Sequence, residues 1–315
     1  MTTFVPRHYA PDVDRGKIAQ YFFDLRARRI TVASTRRLSS RMMRVRFTGA
    51  DLDDFPTVAP EDHVKLFFDR DAHGDVRMPQ LVDGRWSPAG YTYRDYTVRA
   101  FDPAGPTLDI DFVLHDHGVA GRWAATAAPG DSLGMLGPRG AFLVRDVCDW
   151  YVLAADETAL PALARWVEGL REGVPVTAYV EVQDERDEIE LTSRADLRLR
   201  WLHRGRAAPG STRLLADAVR AHEFGDGDGF VWVAGESTSI KELRRYLSRE
   251  RGLPRDCWDV DGYWRRGAAN HDHHDEPDEP DEHGDDPAEP GEPGEPGARG
   301  ADAEPVPAAS GRVGG

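Results

Sequence analysis

The apolar positions of this chain change rhythm near residue 150. Before it, Arg29–Ala33, Met42–Phe47, His63–Phe68, Tyr96–Phe101, Leu108–Leu114 and Ser132–Leu136 are short, β-rich and partly alternating, with Gly, Pro and Asp clusters between them. Short strands at such spacing predict an antiparallel β-barrel. After it, near-continuous apolar runs at Trp150–Ala155, Val176–Val182, Leu197–Leu202 and Phe230–Ala234 alternate with helical patterns at Leu160–Leu170, Thr212–His222 and Ser237–Arg251. That alternation predicts a parallel sheet covered on both faces. Ile18–Leu25 reads as a short helix without evident chemistry.

The expected architecture is therefore two-domain, an antiparallel β-barrel followed by an α/β parallel-sheet domain. The boundaries fall at an N-terminal extension (1–28), a barrel (29–146), an α/β domain (147–267) and a tail (268–315). The tail is rich in Pro, Gly and acid, with almost nothing apolar to bury, so it is expected to be disordered. It also explains the net charge of -15: from Ala268 onward there are 14 acids against two arginines, which leaves only about -3 for the body. A body so near neutrality lacks the basic face of a nucleic-acid binder. His271, His273, His274 and His283 stand among the tail's acids but define no metal site.

Two cysteines, Cys148 and Cys257, lie far apart in sequence and are too few for a disulfide framework or a protein-held iron–sulfur cluster. The opening residues have no signal-peptide core and no run approaches a membrane span. A cytoplasmic monomer with no membrane and no nucleic-acid partner is the expectation.

The chemistry concentrates in a few runs. Arg94-Asp95-Tyr96-Thr97-Val98-Arg99 opens a barrel strand, and strand alternation puts Arg94, Tyr96 and Val98 on one face with Thr97 and Arg99 on the other. A guanidinium grips a pyrophosphate bidentately, a phenol packs on a flat ring, and a hydroxyl reaches its edge. Val113-Leu114-His115 ends a strand and leads through Gly118, Val119, Ala120 and Gly121 into Trp123-Ala124. Small residues there let backbone N–H groups approach a phosphate at a helix start. Asp156-Glu157-Thr158-Ala159 follows a buried strand and opens a helix, where open parallel sheets bind nucleotides; Gly235 and Glu236 end another strand in the same way.

In order, His63-Val64-Lys65-Leu66, the Arg94–Arg99 run, the His/Gly turn to Trp123, Pro129-Gly130-Asp131, Gly137-Pro138-Arg139-Gly140, Asp156–Ala162, Trp201-Leu202-His203-Arg204, Ala234-Gly235-Glu236 and Gly262-Tyr263-Trp264-Arg265 resemble the siderophore-interacting protein family, whose flavin motif is ferredoxin-reductase-like. The resemblance spans about Arg29 to Gly267. It implies FAD held by the barrel and NADPH or NADH on the second domain, with a ferredoxin as the alternative donor. It further implies a ferric siderophore as substrate, reduced to release Fe(II), and no metal held by the protein. Carried over, Arg94 meets the pyrophosphate, Tyr96 the flavin and Thr97 its reactive edge. Val113, Leu114, His115 and Gly118 to Gly121 surround the ADP part. Asp156, Glu157, Thr158, Ala159, Gly235 and Glu236 line the nicotinamide side. Among the other polar residues, Arg204, after the strand end at His203, is open to meeting an adenosine phosphate or to standing as a solvated loop arginine. Lys65, Arg139 and Arg265 form a basic dock for an anionic chelate. Two rivals stay open, a general flavin or ferredoxin-type reductase and a non-catalytic siderophore-binding protein. The chain departs from the family in having Ala155 before Asp-Glu-Thr and Gly121 where many members have Ser.

Overall fold

A computed structural model describes residues 11–115 and 118–268. The expected tail, most of it beyond residue 268, and Asp116 and His117 of the Gly-rich turn lie outside the described residues.

Seven antiparallel strands form the first body, ordered from edge to edge as Tyr93–Thr97, His63–Phe67, Ser132–Leu136, Ala27–Arg37, Met42–Thr48, Thr107–Val113 and Ala100–Asp102. The sheet curls so that Tyr93–Thr97 meets Thr107–Val113 again, and the Tyr96 and Phe112 rings lie 4.4 Å apart. The enclosed core holds Ile30, Val45, Phe47, Leu66, Val98, Leu108, Ile110 and Phe112. The run expected as one strand from Tyr96 to Phe101 is two, broken at Val98-Arg99 where the chain turns inward.

The segment Ile18–Leu25 is not a helix. Ile18–Phe22 is a strand paired antiparallel with Gly140–Val144 and with Val13–Asp14. The deciding signal is a period of two, with Ala19 and Tyr21 buried while Phe22 stands 61 % exposed. Gly140 is needed in this pairing, because a Cβ there would come 2.6 Å from the Tyr21 carbonyl oxygen.

Five parallel strands form the second sheet, in the order Asp196–His203, Pro175–Val182, Trp150–Asp156, Gly229–Glu236 and Trp258–Trp264. The strand order reverses between Trp150–Asp156 and Gly229–Glu236, which places a crevice at their carboxyl ends. The fifth strand was not anticipated, since its burial alternates along Trp258, Val260 and Gly262 instead of running apolar throughout. The helix expected over Ser237–Arg251 is segmented into Ser237–Ile240, Glu242–Arg245 and a π-helical turn at Tyr246–Glu250. The Ser248 hydroxyl donates to the Arg244 carbonyl at 2.8 Å, and the Arg251 amide reaches back to Tyr246 at 2.9 Å, which widens the turn.

The barrel and the parallel sheet belong to one compact unit, joined by part-buried polar contacts. Arg165 donates from Nη1 to the Val98 carbonyl at 2.9 Å and the Pro60 carbonyl at 3.3 Å, and from Nη2 to Thr57 Oγ1 at 2.9 Å. Arg99 pairs with Glu168 alongside, Nη1 to Oε2 at 3.0 Å.

Candidate functional site

The barrel half of the site is built around Tyr93–Thr97. Register sets Arg94 opposite Leu66 and Tyr96 opposite Val64, whereas Asp95 faces Lys65 and Thr97 faces His63. Arg94 and Tyr96 thus share one face and Thr97 takes the other, as alternation requires. From Tyr96 the rings continue through Phe112 to Trp123, 5.6 Å farther on, which links the strand to the helix Val119–Thr126. That chain of rings sets the strand of Arg94 and Tyr96 beside the strand Thr107–Val113 and the helix Val119–Thr126. A guanidinium, a phenol and a helix start with small residues are together a donor set that suits a diphosphate-bearing flavin.

The glycines of this turn have an additional cause. A Cβ on Gly121 would come within 2.9 Å of the His115 carbonyl, and one on Gly118 would strike the His115 ring at 2.4 Å. The Gly118 amide donates to His115 Nδ1 at 3.1 Å. Gly118 and Gly121 therefore let the helix close onto the strand end, whatever it binds, and Ala120 is buried beneath it.

At the crevice of the parallel sheet, the acidic motif holds its own loop. Asp156 Oδ1 accepts from the Thr158 amide at 2.8 Å and its hydroxyl at 2.6 Å, while Oδ2 accepts from Trp264 Nε1 at 2.7 Å. Gly235 is required next to it, because a Cβ would approach Asp156 Oδ2 to 2.9 Å. Glu236 is buried, taking the Ser239 amide at 2.8 Å and the Arg266 amide at 3.1 Å. Ala159 and Ala155 are fully buried in the core, so Ala155 does not crowd the crevice.

Arg204, expected at an adenosine phosphate or in a solvated loop, has a fully enclosed side chain whose terminal nitrogens both bind the Glu157 carboxylate, Nη1 to Oε2 at 2.7 Å. Burial and the adjacent Asp156 push the Glu157 carboxyl up to about 7, against the pull of Arg204. The strand end Trp201–Arg204 is thus tied inward to the loop after Asp156.

The three dock residues stand in different surroundings. Lys65 pairs with Asp95 at 3.1 Å and lies over the Tyr93 and Trp86 rings, 5.2 and 5.9 Å from their centroids. Arg139 is exposed on the loop before Gly140, where its carbonyl accepts from the Phe23 amide at 2.8 Å. Arg265 lines an open cleft of about 400 Å³ at the head of the parallel sheet, with Arg213, Arg266, Ser211 and Glu242. Neither Lys65 nor Arg139 lines it.

Sequence reasoning missed a cluster at the seam. Glu61, from the loop before His63, faces the indole nitrogens of Trp166 and Trp232 without closing a full hydrogen bond, and its Oε1 is buried without a partner. Tyr263 lies beside Thr97 and sits among Glu61, Asp259 and Asp261. Burial and Asp261 push Asp259 up to about 6, and burial with Asp259 raises Glu61 well above the usual carboxylate range. The signal was present in the alternation Asp259-x-Asp261-x-Tyr263. Because the folded pKa of Asp259 exceeds its ordinary 3.8, its stabilising contribution is complete below that value and drains away as pH rises through about 6. Asp259→Asn should therefore narrow the fall in melting temperature between about pH 4 and about pH 7, read as the difference between variant and parent melts. Parallel pH profiles for the two proteins would refute the assignment.

Among the described residues, no group of three or more His, Cys, Asp or Glu side chains is arranged to hold a metal ion. No helix among them is long and apolar enough to cross a membrane.

Comparison with known proteins bears on both halves. Residues 31–142 match the Siderophore-interacting FAD-binding domain, and residues 148–267 match Siderophore-interacting protein. The chain is 32 % identical over 237 residues to the ferric vibriobactin reductase ViuB of Vibrio cholerae, covering 73 % of this chain and 86 % of that protein. It is 34 % identical over 239 residues to an NADPH-dependent ferric-chelate reductase of Escherichia coli, covering 73 % and 90 %. The crystal structure of a siderophore utilization protein from T. fusca superposes with a TM-score of 0.77 at 47 % identity, over 82 % of this chain and 99 % of that one. With an FAD-binding barrel ahead of a parallel-sheet domain, and with both halves matched in order, this chain belongs to the siderophore-interacting protein family.

Proposed function

We propose that the protein is a cytoplasmic, FAD-dependent NAD(P)H:ferric-siderophore reductase that releases Fe(II). The observation that carries this reading is the meeting of the family's FAD-binding barrel with the crevice of the parallel sheet. There Tyr263 of the last parallel strand lies beside Thr97 of the flavin strand, and Arg165 of the neighbouring helix donates to the Val98 carbonyl at 2.9 Å. Bound FAD would accept hydride from a nicotinamide and pass single electrons to Fe(III), which oxygen-donor chelators hold far more tightly than Fe(II). The protein's part is binding and orientation. Arg94 would grip the pyrophosphate, Tyr96 would pack on the flavin, and Thr97 would present its hydroxyl to the ring edge. Asp156, clamped by Thr158 and Trp264, shapes the loop against which the nicotinamide lies. Lys65, Arg139 and Arg265 act as separate attractors on the approach of an anionic chelate, strengthening its encounter by long-range charge.

Stopped-flow mixing of the FAD-loaded protein with NADPH or NADH, then with a ferric tris-catecholate, tests the reading. Bleaching of the flavin by the nicotinamide, followed by recovery of its colour on adding the chelate, is expected. Bleaching without chelate-driven recovery would make it a general flavin reductase, and chelate binding without bleaching a siderophore-binding protein. Lys65→Ala should weaken binding of the anionic chelate, with salt diminishing the difference, and leave flavin reduction unchanged.

A further inference from the structure

Away from the cofactor strands, one of the chain's three lysines meets one of its two cysteines. Lys17 leads into the strand Ile18–Phe22, and Cys257 leads into the strand Trp258–Trp264. Their Nζ and Sγ atoms are 3.1 Å apart. The Lys17 side chain is 17 % exposed and Cys257 is 5 % exposed, so the contact is sheltered on both sides. Arginine supplies all but three of the 40 cationic side chains. A lysine here is therefore a departure from the chain's habit, and only lysine carries a primary amine that can bond to an oxidised sulfur centre. Asp228 pairs with the Lys17 amine, its Oδ1 lies 3.8 Å from Sγ, and Asp256 Oδ1 lies 3.6 Å from it. Asp228 is half exposed, which opens the cluster to dissolved oxidants and supplies a carboxylate to take up a proton. Burial raises the Cys257 thiol while the Lys17 ammonium offsets part of that rise. The second cysteine, Cys148, is wholly buried, and its backbone amide contacts the Tyr151 hydroxyl.

We propose that Lys17 and Cys257 are a site of oxidative cross-linking, in which dioxygen joins them through a nitrogen–oxygen–sulfur bridge. The S–H bond, two N–H bonds of the ammonium and the O–O bond break, and one S–O and one O–N bond form. One oxygen atom stays in the bridge and the other leaves as water with two of the hydrogens. The remaining hydrogen leaves as a proton to Asp228. Sulfur and nitrogen each give up two electrons, which balances the four that dioxygen accepts. The bridge fastens the small N-terminal sheet to the strand that carries Asp259, Asp261 and Tyr263 to the seam, so the seating of that strand becomes responsive to oxygen.

The test uses the full-length protein, aerated and then treated with dithiothreitol, and read by intact-mass and peptide mass spectrometry. One oxygen gained and two hydrogens lost give an increase of about 14 Da, distinct from the whole-oxygen steps of cysteine oxidation. Trypsin should fail to cut after Lys17 in that species, and the Lys17 and Cys257 peptides should run as one until the reductant separates them. Lys17→Arg and Cys257→Ser should each abolish the gain while melting like the parent in reducing buffer. If Lys17→Arg does not fold, the Cys257→Ser comparison carries the test. Three results would overturn the proposal: sulfenic or sulfinic Cys257 with Lys17 still cleaved, a Cys148–Cys257 disulfide, or an unmodified chain after prolonged aeration.

Discussion

Arg94→Ala should lose most of its FAD on dialysis while keeping its fold. Arg94 stands on the same strand face as Tyr96, whose ring meets Phe112 of the strand leading to the Gly-rich turn, whereas Arg99, the other cation of the run, pairs with Glu168. A hydrogen bond to a charged group contributes about 1.5–3 kcal/mol, and two parallel ones to a pyrophosphate add geometric selectivity. At about tenfold per 1.4 kcal/mol, the dissociation constant for FAD should rise by roughly one to two orders of magnitude. Arg94→Lys keeps the charge but not the fork and should fall between parent and Ala. Flavin absorbance per chain after dialysis reads the effect, and fluorescence titration of the apoprotein with FAD gives the constant. Retention equal to the parent would move the pyrophosphate site elsewhere.

Much of the fold was legible because burial dictates rhythm. Trp150–Asp156 and Gly229–Glu236 are central strands covered on both faces, so they read as unbroken apolar runs. Trp258–Trp264 is the outermost strand of the same sheet and alternates instead, because its Asp259, Asp261 and Tyr263 face the seam and not a helix. Ile18–Phe22 has the same alternation in too few residues for its period to stand out against a helix. The strand Gly140–Val144, its partner, begins at the last residue of the Gly-Pro-Arg-Gly run, which reads as pure turn.

The site was legible in its motifs and less so in the work each side chain does. Local sequence places Asp156, Glu157 and Arg204 at strand ends, where nucleotides bind. Whether their charges meet a ligand or each other depends on contacts 47 residues apart for Glu157 and Arg204, and 108 apart for Asp156 and Trp264. Lys65, Arg139 and Arg265 look alike as cations in a sequence, yet Lys65 is matched by Asp95 across the strand pair while Arg265 joins Arg213 and Arg266 at the other sheet. Glu61 carried no motif. Its environment is made by two tryptophans from a helix and a strand that follow by more than a hundred residues.

Arg165→Ala should be among the most destabilising single changes in the body. The Arg165 guanidinium is part-buried where the barrel meets the helix Leu160–Gly169, and it satisfies the carbonyls of Val98 and Pro60 and the hydroxyl of Thr57. Asp62 lies behind it, fully buried, with Oδ2 taking the Thr57 hydroxyl and the Val58 and Ala59 amides while Oδ1 has no partner. The charge of Arg165 is what offsets this carboxylate, and burial raises the Asp62 pKa against that pull. Truncation removes three hydrogen bonds across the seam and strands a buried anion, a combination that costs about 3–5 kcal/mol. At roughly 2–4 °C per kcal/mol for a body of this size, the melting temperature should fall on the order of 10 °C. Lysine cannot span the three acceptors and should recover little. Arg165→Met combined with Asp62→Asn should recover more, because the unpaired charge goes with its partner. Differential scanning calorimetry of the three variants checks the ordering. A shift of only a degree or two in Arg165→Ala would mean that water reaches the seam and that the Arg165 bonds add little to what holds the two sheets together.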